Sequence, residues 1–348
     1  MTVAPQRLLV IRRRYLGDVV LLGPVLRSLR NHWPEAKITV MVDRAFAPIL
    51  TLNPDVDKIL HVPDSPLAWL RSIPTVLRTR FTHVIDLDNR PRTALVTRFS
   101  FAPLRVALHH GHAVVHPSAY THHAIAENNF FATRHITDYY GHALQPLGVP
   151  FVPSAPKLTP RAEDVAFVRH LPALAAIPAS TAKLLIHPGS RSPHRIWPAE
   201  RFAAVIAQLQ AAGTAPILVS GPSEKHIVSE IQSHLPTPVA AINQRLTIPQ
   251  LAALLASANV LLCHDSGPMH LAASVGTPVV ALFSSQSVTT WCPFGDQHIT
   301  LQAPMPCNPC LSPNFCVPSD SYQNHCVRHL SVDQVFAAVL QQLQTKQP

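Results

Sequence analysis

The octapeptide Cys263-His264-Asp265-Ser266-Gly267-Pro268-Met269-His270 gathers a carboxylate, a hydroxyl, a glycine and a histidine directly after an apolar run. A loop of this kind opening a helix offers unpaired backbone N–H groups and the positive end of the helix dipole, both suited to phosphate. The chemistry it points to is binding of a nucleotide or sugar phosphate. On the residues alone, Asp265 also reads as a helix cap and His270 as a core histidine. A second loop, His187-Pro188-Gly189-Ser190-Arg191-Ser192-Pro193-His194-Arg195-Ile196-Trp197-Pro198, supplies a flexible glycine, hydroxyls and two arginines before a helix start. A guanidinium binds phosphate oxygens through two parallel hydrogen bonds, so Arg191 or Arg195 suits a pyrophosphate; a solvated basic loop is the alternative. The third position is Gly17-Asp18. Its aspartate is either a helix cap or a carboxylate that serves as a general base in a cleft between domains.

The elements around these loops alternate. Leu8-Leu9-Val10-Ile11 predicts a strand, followed by the loop Arg12 to Asp18 and a helical face of Val19, Leu22, Val25, Leu26 and Leu29. Pro24 lies inside that face and must kink the helix or sit near its first turn. Further strands are predicted at 37–42 and 82–87. From Gln145 to about Thr181, Pro146, Pro150, Pro153, Pro156 and Pro160 follow in quick succession and mark a region between domains. Beyond it the alternation restarts: strands at 183–187 and 215–219, a helix from Pro198 to Ala212 and another over 248–256. The strand Asn259-Val260-Leu261-Leu262 then leads into the octapeptide. A short helix follows, which Gly276 stops, and then the strand Thr277 to Phe283. Strands alternating with helices imply parallel sheets with ligands at the carboxyl ends of the strands. The expected fold class is α/β, with an N-terminal domain over 1–160 and a C-terminal one over 161–348, facing each other across a cleft. The C-terminal domain includes a cysteine-containing loop at 305–328 and a last helix at 330–345.

At 348 residues, 47% hydrophobic and 14% charged, the chain is long enough for two cores and too apolar for disorder. Its 28 Lys and Arg against 19 Asp and Glu, formally +9, favour anionic partners. No dense basic run interleaved with aromatics accompanies them, which argues against nucleic acid. The apolar patch Leu8 to Ile11 precedes the arginines, the reverse of a signal peptide, and no run reaches the ~18 apolar residues of a membrane span. A cytoplasmic protein is expected, touching the inner membrane peripherally. Six cysteines in such a chain argue against a disulfide scaffold.

Taken together, Gly17-Asp18, Leu22 to Arg30 with its proline, His187-Pro188-Gly189 through Arg195, Trp197-Pro198, Gly221-Pro222 with Glu224, Leu246-Thr247 and Asp265 to Ala273 resemble the heptosyltransferases, glycosyltransferase family 9. The resemblance runs through most of the chain. It implies a GT-B fold of two Rossmann-like domains, the first taking the acceptor and the second the nucleotide-sugar. The implied reaction is an inverting transfer of heptose from ADP-L-glycero-D-manno-heptose to the lipopolysaccharide core. Carried over, Asp18 is the base; Ser190 and Arg195, with Arg191 nearby, hold the donor phosphates; Glu224 lies near the nucleoside. Asp265 binds sugar hydroxyls, Ser266 and Gly267 offer N–H groups to the pyrophosphate, and His270 completes the site. No cofactor is required. Arg195 stands where relatives often carry lysine, and Asp86-Leu87-Asp88-Asn89-Arg90 lacks the glycine of the family's Asp-Leu-x-Gly-Asn-like turn, so acceptor contacts there are expected to differ. Other acceptors (a protein or another surface polysaccharide) and a non-catalytic nucleotide-sugar-binding protein are the alternative readings.

Cys307-Asn308-Pro309-Cys310, with Cys316 and Cys326, is a four-thiol set able to bind zinc or iron tetrahedrally. Cysteines recur in this region of the family, and some protein-modifying members carry iron there. Free buried thiols or a disulfide are the other readings, while Cys263 and Cys292 read as ordinary buried cysteines.

Overall fold

The computed structural model describes residues 7–62, 65–111, 114–127, 129–178, 180–305 and 325–344. They form two compact units, residues 1–159 and 160–348, each built on its own parallel sheet. The first sheet contains β1 (Arg7–Ile11), β2 (Lys37–Asp43), β3 (Lys58–Val62), β4 (His83–Asp86), β5 (Leu104–His110) and β6 (His122–Ala126), in the order β3-β2-β1-β4-β5-β6. The second contains β7 (Lys183–His187), β8 (Ala215–Val219), β9 (Ala240–Ile242), β10 (Val260–His264), β11 (Val279–Phe283) and β12 (Ile299–Gln302), in the order β12-β11-β10-β7-β8-β9.

The central strands are the ones with unbroken apolar runs, because helices cover both faces of a parallel sheet. Leu8, Leu9, Val10 and Ile11 are buried, as are Leu184, Leu185 and Ile186 on β7 and all of Val279 to Phe283 on β11. In the second unit Leu184, Ile186, Val280 and Leu282 pack with Trp197, Phe202, Val205, Ile206 and Leu209 into one large core. Strands β3 and β12 carry no such run, and β5, β6 and β9 only three-residue ones, such as Val106 to Leu108 and Ala240 to Ile242. They lie toward the sheet margins, where exposed or half-exposed positions admit residues such as His61, His122 and Gln302.

Each sheet reverses its strand order once, between β1 and β4 and between β7 and β10. At such a switch point the loops leaving the two adjacent strands diverge and open a crevice at the carboxyl ends. The loops leaving β1, β4, β7 and β10 are 12–15, 87–90, 188–192 and 265–266. Thus the topology puts the aspartate turns and the arginine loop where parallel sheets bind ligands.

Three local readings are refined. The helical face around Pro24 is two helices, Leu16–Val20 and Gly23–His32, with Pro24 in the first turn of the second, where its missing N–H is harmless. Pro198 precedes the helix Ala199–Ala211 as its cap residue instead of opening it. The proline-rich stretch is packed: a Cβ on Gly141 would meet the Phe151 ring at 2.5 Å, and one on Gly23 would meet Pro156 at 2.9 Å. Among the described residues, no helix is long and apolar enough to cross a membrane.

Candidate functional site

In the first unit the chain leaves β1 through Arg12 to Tyr15, and Asp18 is the third residue of the helix Leu16–Val20. Asp18 is therefore not the cap residue. Its Oδ2 reaches back and accepts the Tyr15 N–H (2.8 Å), the reciprocal half of a capping box. Its Oδ1 does something a cap does not require: it accepts the Tyr140 hydroxyl (2.7 Å) and pairs with the Arg12 guanidinium. Arg12 also donates to Asp88 Oδ1 (3.2 Å) and lies 5.2 Å from the centre of the Tyr140 ring. Burial by itself disfavours this guanidinium's charge, but the facing Tyr140, Asp18 and Asp88 outweigh it and hold Arg12 protonated. Burial also drives the Tyr140 phenol well above its usual range, so it remains a donor.

The neighbouring turn after β4 is organised by Asp86. Its Oδ1 accepts the Asp88 and Asn89 N–H groups (3.0 and 3.1 Å), and its Oδ2 accepts the Tyr120 hydroxyl (2.7 Å). Full burial pushes the Asp86 carboxyl up to about 6, against the opposing hydrogen bonds from Thr93 and Tyr120. Burial likewise raises Asp88, with Arg12 opposing. The turn has no glycine, yet it contains the left-handed residue that glycine ordinarily supplies: Asn89 sits at φ +46°. Its Oδ1 also accepts the Val115 N–H (3.0 Å). The missing glycine is thus replaced by the side chain that best tolerates this backbone.

In the second unit, Asp265 follows β10 and precedes the helix Gly267–Ser274. The cap position belongs to Ser266, and its side chain makes no cap bond; its hydroxyl donates to the His264 carbonyl (3.2 Å). The reading of Asp265 as a cap is therefore set aside. Its side chain is 2% exposed, with Arg195 Nη1 3.4 Å from Oδ2. Among the described residues, neither carboxylate oxygen accepts a hydrogen bond. Burial pushes this carboxyl up to about 7, with Arg195 pulling the other way. Arg195 Nη1 also approaches the Asp265 carbonyl at 3.4 Å, so one guanidinium spans the loop from β7 and the start of the helix. His270 is buried in that helix, Ser190 and Gly267 are half-exposed, and Arg191 is exposed.

The loop after β7 is fixed by two histidines the sequence reading passed over. His264 Nε2 accepts the Trp197 N–H (2.9 Å), which assigns the ring proton to Nδ1. Burial, then His187 and Arg195, hold His264 near 3 and hence neutral. His187 Nε2 lies 3.6 Å from Glu224 Oε2, while the same oxygen accepts the Gly221 N–H (3.2 Å). Burial lowers His187 despite that carboxylate. A Cβ at Gly189 would stand 2.1 Å from Glu224 Oε1, so glycine is obligatory if Glu224 is to lie against the loop. His187 and His264 close the buried strands β7 and β10, which is a signal present in the sequence. Tyr140 had no local signal, being 122 residues from Asp18.

Of the four-cysteine set, Cys307, Cys310 and Cys316 lie outside the described residues; Cys326 is buried on the helix His325–Arg328. Among the described residues, no group of three or more metal-ligating side chains is placed to hold a metal. Cys263 is buried, and Cys292 is half-exposed, not the buried residue expected.

The profile of glycosyltransferase family 9 (heptosyltransferase) matches residues 69–316. Lipopolysaccharide heptosyltransferase 3 of Escherichia coli is 27% identical over 302 residues, covering 83% of this chain and 87% of that protein. The crystal structure of the glycosyl transferase family 9 protein from Veillonella parvula superposes with a TM-score of 0.82 at 23% identity, covering 98% of both chains. ADP-heptose lps heptosyltransferase II of E. coli gives a TM-score of 0.79 at 19% identity, covering 98% of this chain and 99% of that one. The shared architecture is GT-B, two parallel-sheet units with flanking helices. The chain belongs to glycosyltransferase family 9, the heptosyltransferases.

Proposed function

We propose that this enzyme transfers heptose from an ADP-heptose donor to a lipopolysaccharide core acceptor at the cytoplasmic face of the inner membrane, with inversion at the anomeric carbon. The observation that carries the reading is the Asp265 site: a buried carboxylate that accepts no hydrogen bond among the described residues, an arginine beside it, and the start of an eight-residue helix. A sugar diphosphate has the complementary parts. Its hydroxyls donate to Asp265, and its phosphates meet Arg195, with Arg191 and Ser190 on the same loop. The N–H end of the helix at Ser266 and Gly267 adds a positive dipole. Glu224, held against Gly189 and beside His187, is available to ribose hydroxyls, and His270 backs the site from the helix. The relatives named for ADP-heptose and lipopolysaccharide support this choice of substrates.

The first unit takes the acceptor and supplies the base. The acceptor oxygen attacks the anomeric carbon and forms the new C–O bond, while the bond from that carbon to the diphosphate oxygen breaks. ADP departs with the electron pair, and the acceptor proton passes to Asp18. Charge growing on the departing diphosphate is met by Arg195 and the helix dipole, which act on the transition state.

The test is acceptor-dependent ADP release from ADP-heptose with truncated lipopolysaccharide cores, followed by determination of the anomeric configuration of the product. Asp18→Ala is expected to lower turnover by at least about a hundredfold, the lower end of what a general base contributes. Wild-type turnover in that variant would remove the base assignment. Turnover only with a protein or another surface polysaccharide would reassign the acceptor.

A further inference from the structure

Asp18 is the proposed base, but a carboxylate has two oxygens and about four acceptor positions. Three donors from three parts of the first unit occupy this one: Arg12 beyond β1, the Tyr15 N–H at the helix start, and Tyr140 from the helix Ile136–His142. Two of the three fall on Oδ1, leaving Oδ2 with one donor. Asp18 retains 11% side-chain exposure. We infer that Tyr140 is a positioning residue for the transfer: together with Arg12 it saturates Oδ1, leaving Oδ2 of Asp18 as the atom that takes the acceptor proton.

The inference rests on the base reading of Asp18 and adds the atom and its support. Tyr140 is fully buried, so its hydroxyl has no water with which to exchange partners. Its ring lies beside the same guanidinium that pairs with Asp18, so one side chain fixes both members of the ion pair. A fork held in this way cannot rotate to present Oδ1. The phenol keeps its proton, because burial raises it far above its ordinary range, and it therefore donates to the base without replacing it. The charged and titratable groups facing Asp18 are Arg12, Tyr140 and Asp88.

A matched control exists in the same unit. Tyr120 also donates from a buried ring to an aspartate at 2.7 Å, but its partner is Asp86 in the turn after β4. Tyr140→Phe and Tyr120→Phe each delete one hydroxyl from a buried tyrosine–aspartate pair. For Tyr140→Phe, kcat is expected to fall about ten- to hundredfold, the range for a lost hydrogen bond to a charged group, with the KM for ADP-heptose unchanged. Tyr120→Phe should lower the unfolding midpoint comparably and lower kcat much less. If Asp18→Ala is inactive but Tyr140→Phe keeps wild-type kcat, the positioning role falls and the base stands. Equal losses of kcat in the two Phe variants would also overturn it, as a general packing effect. Full activity of Asp18→Ala would remove both readings together.

Discussion

At neutral pH Asp265 opposes folding. Its carboxyl is pushed from 3.8 to about 7, mainly by burial. A raised folded-state value means that the native protein binds the proton more tightly than the unfolded chain. Stability is therefore lost as pH rises from about 4 to about 7 and the buried group is forced to ionise. Asp265→Asn, which cannot ionise, should raise the unfolding midpoint, and the gain over wild type should grow between pH 5 and pH 8. At roughly 2–4 °C per kcal/mol for a unit of this size, calorimetric scanning resolves the effect. The same variant should bind ADP-heptose about ten- to hundredfold more weakly in titration calorimetry, since a charged acceptor for sugar hydroxyls is gone. A gain in stability independent of pH, or unchanged affinity, would contradict this account. Destabilisation stored at the site is what a ligand supplying the missing donors relieves.

At the scale of elements, the turn after β4 shows how one residue replaces another in a backbone role. Asp86 fixes its two N–H groups, and Asn89 takes the left-handed conformation at φ +46° while its side chain holds the Val115 N–H. Asn89→Gly keeps the backbone accessible and loses only that bond. Asn89→Ala loses the bond and also bears the left-handed strain, about 1–2 kcal/mol for a residue with a Cβ. Urea denaturation should therefore rank wild type above Gly and Gly above Ala; the reverse order of the two variants would show that the strain is relieved elsewhere. Much of this element was legible, since the sequence presents Asp86 to Arg90 as a polar strand end. The acceptance of asparagine at the glycine position was not, because it depends on a dihedral angle. In the same way Gly189 is explained only by Glu224, 35 positions later, whose carboxylate occupies the space of its Cβ.

For the whole molecule, each half of the chemistry is built on its own sheet and its own core. Asp18 and its donors belong entirely to residues 1–159, while Asp265, Arg195, His187, His264 and Glu224 belong to residues 160–348. Removing the Asp18 carboxylate should consequently leave donor binding intact while turnover fails. Calorimetric titration of Asp18→Ala with ADP-heptose is expected to give the wild-type Kd within about threefold, less than 1 kcal/mol. A much larger loss of affinity would mean that Asp18 holds the donor instead of activating the acceptor.

The sequence by itself determined the α/β class, the central strands and the loops that hold Asp18, Arg195 and Asp265. Those features are local: an apolar run long enough for a buried strand, followed by polar residues and a helix start, leaves few alternatives. The marginal strands β3, β5, β6, β9 and β12 escaped it, because mixed polar sequences and very short apolar runs form strands only when a neighbour already presents an edge. Tertiary structure alone decided the partners. It brought Tyr140 to Asp18 across 122 residues and set Trp197 on His264 across 67. It also left the Asp265 carboxylate buried with no hydrogen bond to it among the described residues. Hydrogen bonds and desolvation depend on what surrounds an atom in space, and the chain order of these residues does not encode that directly.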